Sequence, residues 1–199
     1  MNRTLGKRLE KTPYPTLDQM ETEIARRKYR KRFSSALRGT VYSLAVVAAI
    51  AVLVATLWMP VLRITGTSME PTLADGQFAA VIKTTQLNPG ELCVFYFNNK
   101  LLVKRVIACA GSWVDMDLSG NVYVDGILLE EPYLTEKSLG ECTIELPFQM
   151  PDGKLFVMGD DRAVSLDSRT TVVGCISREQ ILGRVVFRLW PLDVAGVIA

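Results

Sequence analysis

The chain has 199 residues, 49% hydrophobic and 22% charged, which is enough to bury one medium-sized core and unlike a disordered, collagen-like or disulfide-scaffold composition. Its formal charge of +2 conceals two unlike parts, since residues 1–40 carry 11 Lys/Arg against 4 Asp/Glu and residues 41–199 carry 12 against 17. Histidine is absent, which excludes His-based general catalysis, a Ser-His-Asp triad, Cys-His dyads and His-ligated metal sites.

In the N-terminal segment 1–38, Asp18 and Glu21 stand at capping-box spacing, and TLDQMETEIARRKYRKRF is compatible with a charged helix. Its cluster of Arg26, Arg27, Lys28, Arg30, Lys31, Arg32 and Arg38 suits anionic lipid headgroups; a basic run beside an apolar one is a topology signal far more often than a nucleic-acid site, so no nucleic-acid partner is expected. From Gly39 to Leu62 there are 24 consecutive uncharged residues, which as a helix would extend roughly 36 Å at ~1.5 Å per residue, against a bilayer core of about 30 Å. The run is too long and starts too far into the chain for a secretory leader. The basic cluster at one end and Trp58 at the other also argue against a buried helix of a soluble protein. The expectation is one transmembrane helix over 39–62, with 1–38 cytoplasmic and 63–199 outside the membrane.

After Pro60, the runs FAAVIK, ELCVFYF, KLLVKRVIACA, NVYVDGILL, KLFVMG and GRVVFRLW, separated by Asn-Pro-Gly, Ser-Gly-Asn and Pro-Asp-Gly turns, predict a mainly β domain, a compact sheet or barrel-like body tethered by the helix. In the last run Val185, Phe187 and Leu189 alternate with Arg184, Val186 and Arg188, as in a strand with one core face. Cys93, Cys109, Cys142 and Cys175 contain no Cys-x-x-Cys pair, so no metal is expected, and buried free thiols are favoured over disulfides.

Without histidine, a hydrolase needs Ser, Thr, Cys or a carboxylate as nucleophile and Lys, Asp or Glu as base. Beyond the apolar run the lysines are Lys83, Lys100, Lys104, Lys137 and Lys154, and only Lys104 is embedded among apolar residues. Strand alternation sets Lys104 on the face of Leu102 and Val106, with Arg105 on the opposite face beside Val103 and Ile107, so one of the two cations has to approach the interior. Desolvation drives a lysine there toward the neutral amine, whereas arginine stays charged. The competing reading makes Lys104 an edge-strand charge that deters aggregation. Ser68, in RITGTSMEPTLADG, sits in a turn between Gly66 and Pro71 that would hold its hydroxyl in place, though an ordinary surface turn has the same composition.

Gly66-Thr67-Ser68-Met69-Glu70-Pro71-Thr72-Leu73, Val103-Lys104-Arg105-Val106-Ile107 and FVMGDDRAVSLDSRTTVVG, in this order behind an apolar anchor and closed by GRVVFRLWP, resemble the boxes of the bacterial type I signal peptidases. The resemblance covers nearly the whole chain. It implies a membrane-bound serine endopeptidase that removes signal peptides from exported preproteins at the outer face of the cytoplasmic membrane. Ser68 would be the nucleophile and Lys104 the general base, with Asp160, Ser165, Asp167, Arg169 and Arg105 supporting the site. No cofactor is implied, and the partners are preprotein signal peptides, the lipid bilayer and, as a further candidate, the secretion translocon. The single anchor and the short segment from about 112 to 147, a small insertion lobe, resemble Gram-positive members. The chain departs from the usual boxes at Asp161, Ala108 and Ser112, and Gly66 stands where many Gram-negative members carry a serine that helps bind the oxyanion. The oxyanion hole is therefore expected to use the Ser68 N–H with a second donor not assigned from sequence.

Eight residues from Pro60 to Ser68 reach at most about 28 Å, which keeps the hydroxyl close to the membrane. Ile64, Met69, Leu73 and Val103 are the expected lining of a shallow apolar pocket for small side chains. Asp160, Asp161 and Asp167 lack EF-hand spacing and lie among Arg162 and Arg169, which favours a salt-bridged turn over a metal site. A self-cleaving Ser-Lys repressor would need a DNA-binding module in place of the anchor, and a penicillin-binding enzyme would need Ser-x-x-Lys, which does not occur. A catalytically silent, membrane-tethered binding protein is the alternative from a different class, and the presence of both Ser68 and Lys104 argues against it.

Overall fold

The computed structural model describes residues 17–198, so the first sixteen residues of the expected basic segment and the Trp58 side chain lie outside the described part. The charged and apolar runs form one continuous helix, α1 (Leu17–Trp58), of 42 residues. Within it, Leu17–Val54 is long and apolar enough to cross a membrane. Leu44, Val46, Val47 and Val52, which point in four different directions around the axis, are all more than half exposed, so apolar side chains point all round the helix and not along one stripe. The helix stops at Trp58, short of the Leu62 boundary read from the apolar run. Pro60 disfavours helical backbone at the preceding residue and lacks an N–H, and Val61 and Leu62 pass into the first strand instead.

The remainder is strands, turns and loops with two single-turn 3-10 segments. The main sheet comprises β1 (Val61–Arg63), β2 (Phe78–Ile82), β3 (Leu92–Phe97), β4 (Lys100–Cys109), β9 (Lys154–Met158), β10 (Ile176–Ser177), β11 (Ile181–Trp190) and β12 (Gly196–Val197). Its order is β1-β2-β11-β3-β4-β9-β10, with β12 also on β11, and every pairing is antiparallel. Among the described residues β1 and β10 do not pair, so the barrel-like expectation resolves as a compact but open sheet. β3 and β4 form a hairpin in which Phe97 pairs with Lys100 across Asn98-Asn99, both at positive φ, the conformation that a two-residue turn between twisted strands demands.

A second sheet, in the order β7-β6-β5-β8, contains β5 (Trp113–Met116), β6 (Val122–Val124), β7 (Ile127–Leu128) and β8 (Phe148–Gln149). It occupies the segment expected as an insertion lobe, reaching slightly beyond it to Gln149. The single strand expected for NVYVDGILL is two strands, because Asp125 (φ 53°) and Gly126 (φ 81°) reverse the chain between β6 and β7.

The faces of β4 are covered along its inner half: Val106 packs with Cys93, Phe95 and Val157, Val103 packs against Ile64, Met69 and Leu73, and Ile107 and Ala108 pack with Val114, Phe156 and Met158. Both cations of the strand are consequently buried, Lys104 to 3% exposure and Arg105 to 2%, where alternation had placed only one inside. The alternation expected from Arg184 to Leu189 holds only at its start: Val185 is buried, but after a register shift against β2 between Val185 and Phe187, Phe187 is half-buried and Leu189 exposed. All four cysteines are free thiols, and only Cys93 is fully buried, its pKa pushed up by burial to about 12.

Candidate active site

Ser68 is carried by the loop between β1 and β2. The Ile64 N–H donates to the Gln77 carbonyl at 2.8 Å and the Gly76 N–H to the Ile64 carbonyl at 3.0 Å, closing the base of the loop. The Asp75 carboxylate accepts from the Gly66 N–H at 2.8 Å, where φ is +87° and a side chain would be strained. Met69 and Leu73 are pegged into the core, one turn apart, with the Leu73 N–H donating to the Met69 carbonyl at 2.8 Å. The hydroxyl is thereby held on a short, buried-sided turn.

Lys104 approaches from the middle of β4, where its partner across the β3 ladder is Cys93. Its Nζ lies 2.8 Å from Ser68 Oγ and 2.9 Å from Ser165 Oγ. Burial lowers the Lys104 pKa from 10.5 to about 8; the charge of Asp167 opposes the shift and that of Arg169 adds to it. A lysine so placed is substantially neutral just above pH 8 and within proton-transfer distance of a hydroxyl.

The loop between β9 and β10 supplies the surroundings. Asp167 accepts two hydrogen bonds from the Arg169 guanidinium, Nε to Oδ1 and Nη2 to Oδ2, each 2.8 Å, and a third from the Arg169 N–H to Oδ1 at 3.2 Å, while its Oδ2 also accepts from the Gly159 N–H at 2.9 Å. Burial pushes the Asp167 carboxyl up, but the bonds from Arg169, Gly159 and Ser165 outweigh it and hold the group below the ordinary carboxylate range. Asp160 receives Arg105 through Nε at 2.9 Å and Nη2 at 2.7 Å and takes a further bond from the Thr72 hydroxyl, tying β4 to the Ser68 loop. The Asp161 N–H donates to the Ser68 carbonyl at 3.1 Å. Asp160 and Asp167 are thus each locked by an arginine, as a salt-bridged turn requires.

Each sequence-predicted supporting residue lies in this assembly. Of the pocket residues, Ile64, Met69 and Val103 line a cavity of about 150 Å³ together with Ser68, Leu102 and Lys104. Leu73 does not: it is 0% exposed inside the core, because it follows Met69 by one turn and points into the packed cluster beneath the loop. A larger groove of about 1140 Å³, with Ile82, Tyr133, Val185 and Phe187 in its lining, does not contain Ser68. Five participants escaped sequence reasoning. Thr72 and Gly159 lie within the motifs, but nothing in the motifs alone gives them a role; a Cβ on Gly159 would meet Ser165 Oγ at 2.2 Å and the Ser68 carbonyl at 2.5 Å. Arg162, expected within the aspartate turn, pairs with Glu131 from the segment between β7 and β8, and Tyr133 stacks on Arg105 with 3.8 Å from the guanidinium to the ring centroid. Glu131 and Tyr133 carried no sequence signal, since each is brought to its arginine only by the fold.

Residues 37–190 match the family described as Signal peptidase, peptidase S26. Signal peptidase IB of Staphylococcus aureus is 39% identical, the match covering 65% of this chain and 77% of that protein, and Signal peptidase I of Bacillus licheniformis is 35% identical over 64% and 75%. Among solved structures, a signal peptidase I from Enterococcus faecalis V583 aligns with a TM-score of 0.40 and 25% identity, over 50% of this chain and 96% of that one. With a histidine-free serine and lysine in hydrogen-bond contact, and a family match across more than three quarters of its length, the chain belongs to the signal peptidases of the S26 peptidase family.

Proposed function

We propose that the protein is a membrane-anchored Ser-Lys endopeptidase that releases exported preproteins from their signal peptides. The observation that carries this reading is the 2.8 Å contact between Lys104 Nζ and Ser68 Oγ at a lysine whose pKa burial has lowered to about 8. The neutral amine takes the Ser68 proton as Oγ adds to the scissile carbonyl, which builds a tetrahedral oxyanion. Among the described residues no hydrogen bond claims the Ser68 N–H, leaving that donor for the oxyanion. The resulting Lys104 ammonium protonates the departing amine, and the mature chain leaves. Lys104, neutral again, takes a proton from a water that attacks the acyl-enzyme, and the collapse of that adduct returns the proton to Ser68.

The Ser165 hydroxyl aims Nζ, and Asp167, fixed by Arg169, holds Ser165 and the Gly159 backbone. The 150 Å³ cavity beside Ser68, walled by Ile64, Met69 and Val103, favours small side chains one and three positions before the cut. The basic cluster of α1 marks the cytoplasmic side, with residues 1–38 inside, 39–58 spanning and the catalytic domain outside, where a translocated cleavage point emerges. Anionic lipid, and the translocon that delivers substrate, are the corresponding partners. The test is to incubate the detergent-solubilised full chain with a preprotein and identify the new N-terminus by mass spectrometry. Cleavage at the signal junction that disappears in Ser68→Ala supports the reading, and cleavage that persists in that variant rejects it.

A further inference from the structure

One short segment of the insertion lobe touches all three buried arginines around the site. Glu131 accepts a hydrogen bond from Arg162 Nη2, the Tyr133 ring stacks on the Arg105 guanidinium, and the Leu139 carbonyl accepts from Arg169 Nη1 at 2.7 Å. The segment ends at Gly140, where φ is +59° and a Cβ would meet the Arg162 carbonyl at 2.3 Å and Arg169 Nη1 at 2.6 Å, so its close approach needs glycine. Arg105 and Arg169 have carboxylate partners already described. Arg162 pairs with Glu131 instead, and the side chains of both are 0% exposed.

This pair is poorly completed. Among the described residues Arg162 Nη1 has no hydrogen-bond partner, and Glu131 Oε2 has none either, only the charge of Lys137 Nζ at 3.6 Å, while the Tyr133 hydroxyl donates to Glu131 Oε1 at 3.3 Å. A buried ion pair with unfilled positions contributes little net stability compared with apolar residues of the same volume. What it does supply is position. Arg162 Nε donates to the Gly159 carbonyl at 3.0 Å, and Gly159 is the residue against which Ser165 Oγ and the Ser68 carbonyl are packed. The chain of contact therefore runs from Glu131 through Arg162 to Gly159, and from there to the Ser165 hydroxyl and the Ser68 backbone, the two residues whose hydroxyls meet Lys104 Nζ.

We propose that Glu131 is a positioning residue of the peptidase reaction: the insertion lobe reaches back through it to set Arg162, and through Arg162 the Gly159 backbone that spaces Ser68 and Ser165 about Lys104. The proposal rests on the Ser68–Lys104 reading given above. It predicts a loss in the chemical step and not in substrate binding, because Glu131, Arg162 and Gly159 do not line the cavity beside Ser68.

The experiment measures kcat, KM and thermal unfolding of the full chain in detergent micelles on a signal-peptide substrate. In Glu131→Ala, kcat falls by about 10²-fold while KM stays within about twofold. Glu131→Gln, whose amide oxygen still accepts from Arg162, recovers most of the lost kcat. The double variant Glu131→Met/Arg162→Met removes both buried charges together and unfolds no lower than the parent, yet lacks the bond to Gly159 and stays slow. A double variant that regains parental kcat along with stability, or a Glu131→Ala whose activity falls only in proportion to its folded fraction, shows a purely structural pair and overturns the proposal. Ser68→Ala in the same assay separates the two readings. Activity surviving there defeats the Ser68–Lys104 mechanism, whereas normal turnover of all the Glu131 variants beside an inactive Ser68→Ala defeats this inference alone.

Discussion

Replacing Lys104 with methionine abolishes activity but raises stability near neutral pH. The lysine is 3% exposed, and its folded pKa of about 8 lies below the 10.5 of the unfolded chain. Below pH 8 both states hold the proton, and the folded state carries the full penalty of a buried ammonium, about 3 kcal/mol for a shift of this size. Between the folded and unfolded values the unfolded chain binds the extra proton, so stability rises with pH through that window and the penalty is gone above it. From pH 7 to pH 9 the parent gains about 1.3 kcal/mol from this group alone. Methionine matches the length of the lysine stem and opens no large cavity. Against the gain stand two hydrogen bonds, to Ser68 and Ser165, at about 1 kcal/mol each. Ser68 borders a cavity, and Ser165 keeps Asp167 as a partner. The net expectation is Lys104→Met more stable than the parent by about 1 kcal/mol at pH 7, with the advantage vanishing by pH 9. Denaturant unfolding of both full chains in the same detergent at the two pH values measures this, and other titrating groups cancel in the difference. A variant clearly less stable at both values would mean that Lys104 is a paired, charged structural residue, and the general-base assignment would fail.

The same pKa sets the rate profile: kcat/KM should climb with pH along an acid limb centred near 8, and a limb below 6 would point to a carboxylate base instead. Gly159→Ala inserts a methyl group 2.2 Å from Ser165 Oγ, and we expect activity to drop at least as far as in Ser165→Ala; parental turnover would refute the packing argument. Leu73→Ala, in the core and not in the pocket, should cost about 2–5 kcal/mol of stability while leaving substrate preference unaltered, as read by cleavage of peptides with alanine or valine before the cut. Protease added outside intact cells should shave the chain after Pro60 and leave a protected N-terminal fragment, and protection of the catalytic domain instead would reverse the proposed orientation.

Much of the molecule was legible in one dimension because the deciding physics is local. A stretch of 24 uncharged residues is a helix candidate for a bilayer wherever it occurs, and strands as long as β3, β4 and β11 announce themselves by apolar runs between turn residues. Lys104 stands out in the sequence as a candidate internal base because a lone lysine among Leu, Val and Ile has few alternatives, and the serine turn and the aspartate–arginine loop are marked by motif. The short strands β1, β5, β8, β10 and β12 carry too few residues for a period of two to be visible, and they exist only because a neighbour pairs with them.

Tertiary structure decided what alternation could not. A pattern of two assigns faces but not whether both are covered, so it could bury Lys104 or Arg105 and not both; β4 runs through the sheet interior with packing on either side, and each cation is inside with its own partners. Spacing likewise could not separate Met69, which borders the cavity, from Leu73, four residues on and sealed in the core, since one helical turn puts both on the same side of the loop at different depths. Glu131 and Tyr133 lie tens of residues from the arginines they meet. Contacts of that range are set by how two sheets fold back on one another, and nothing local in the sequence encodes them.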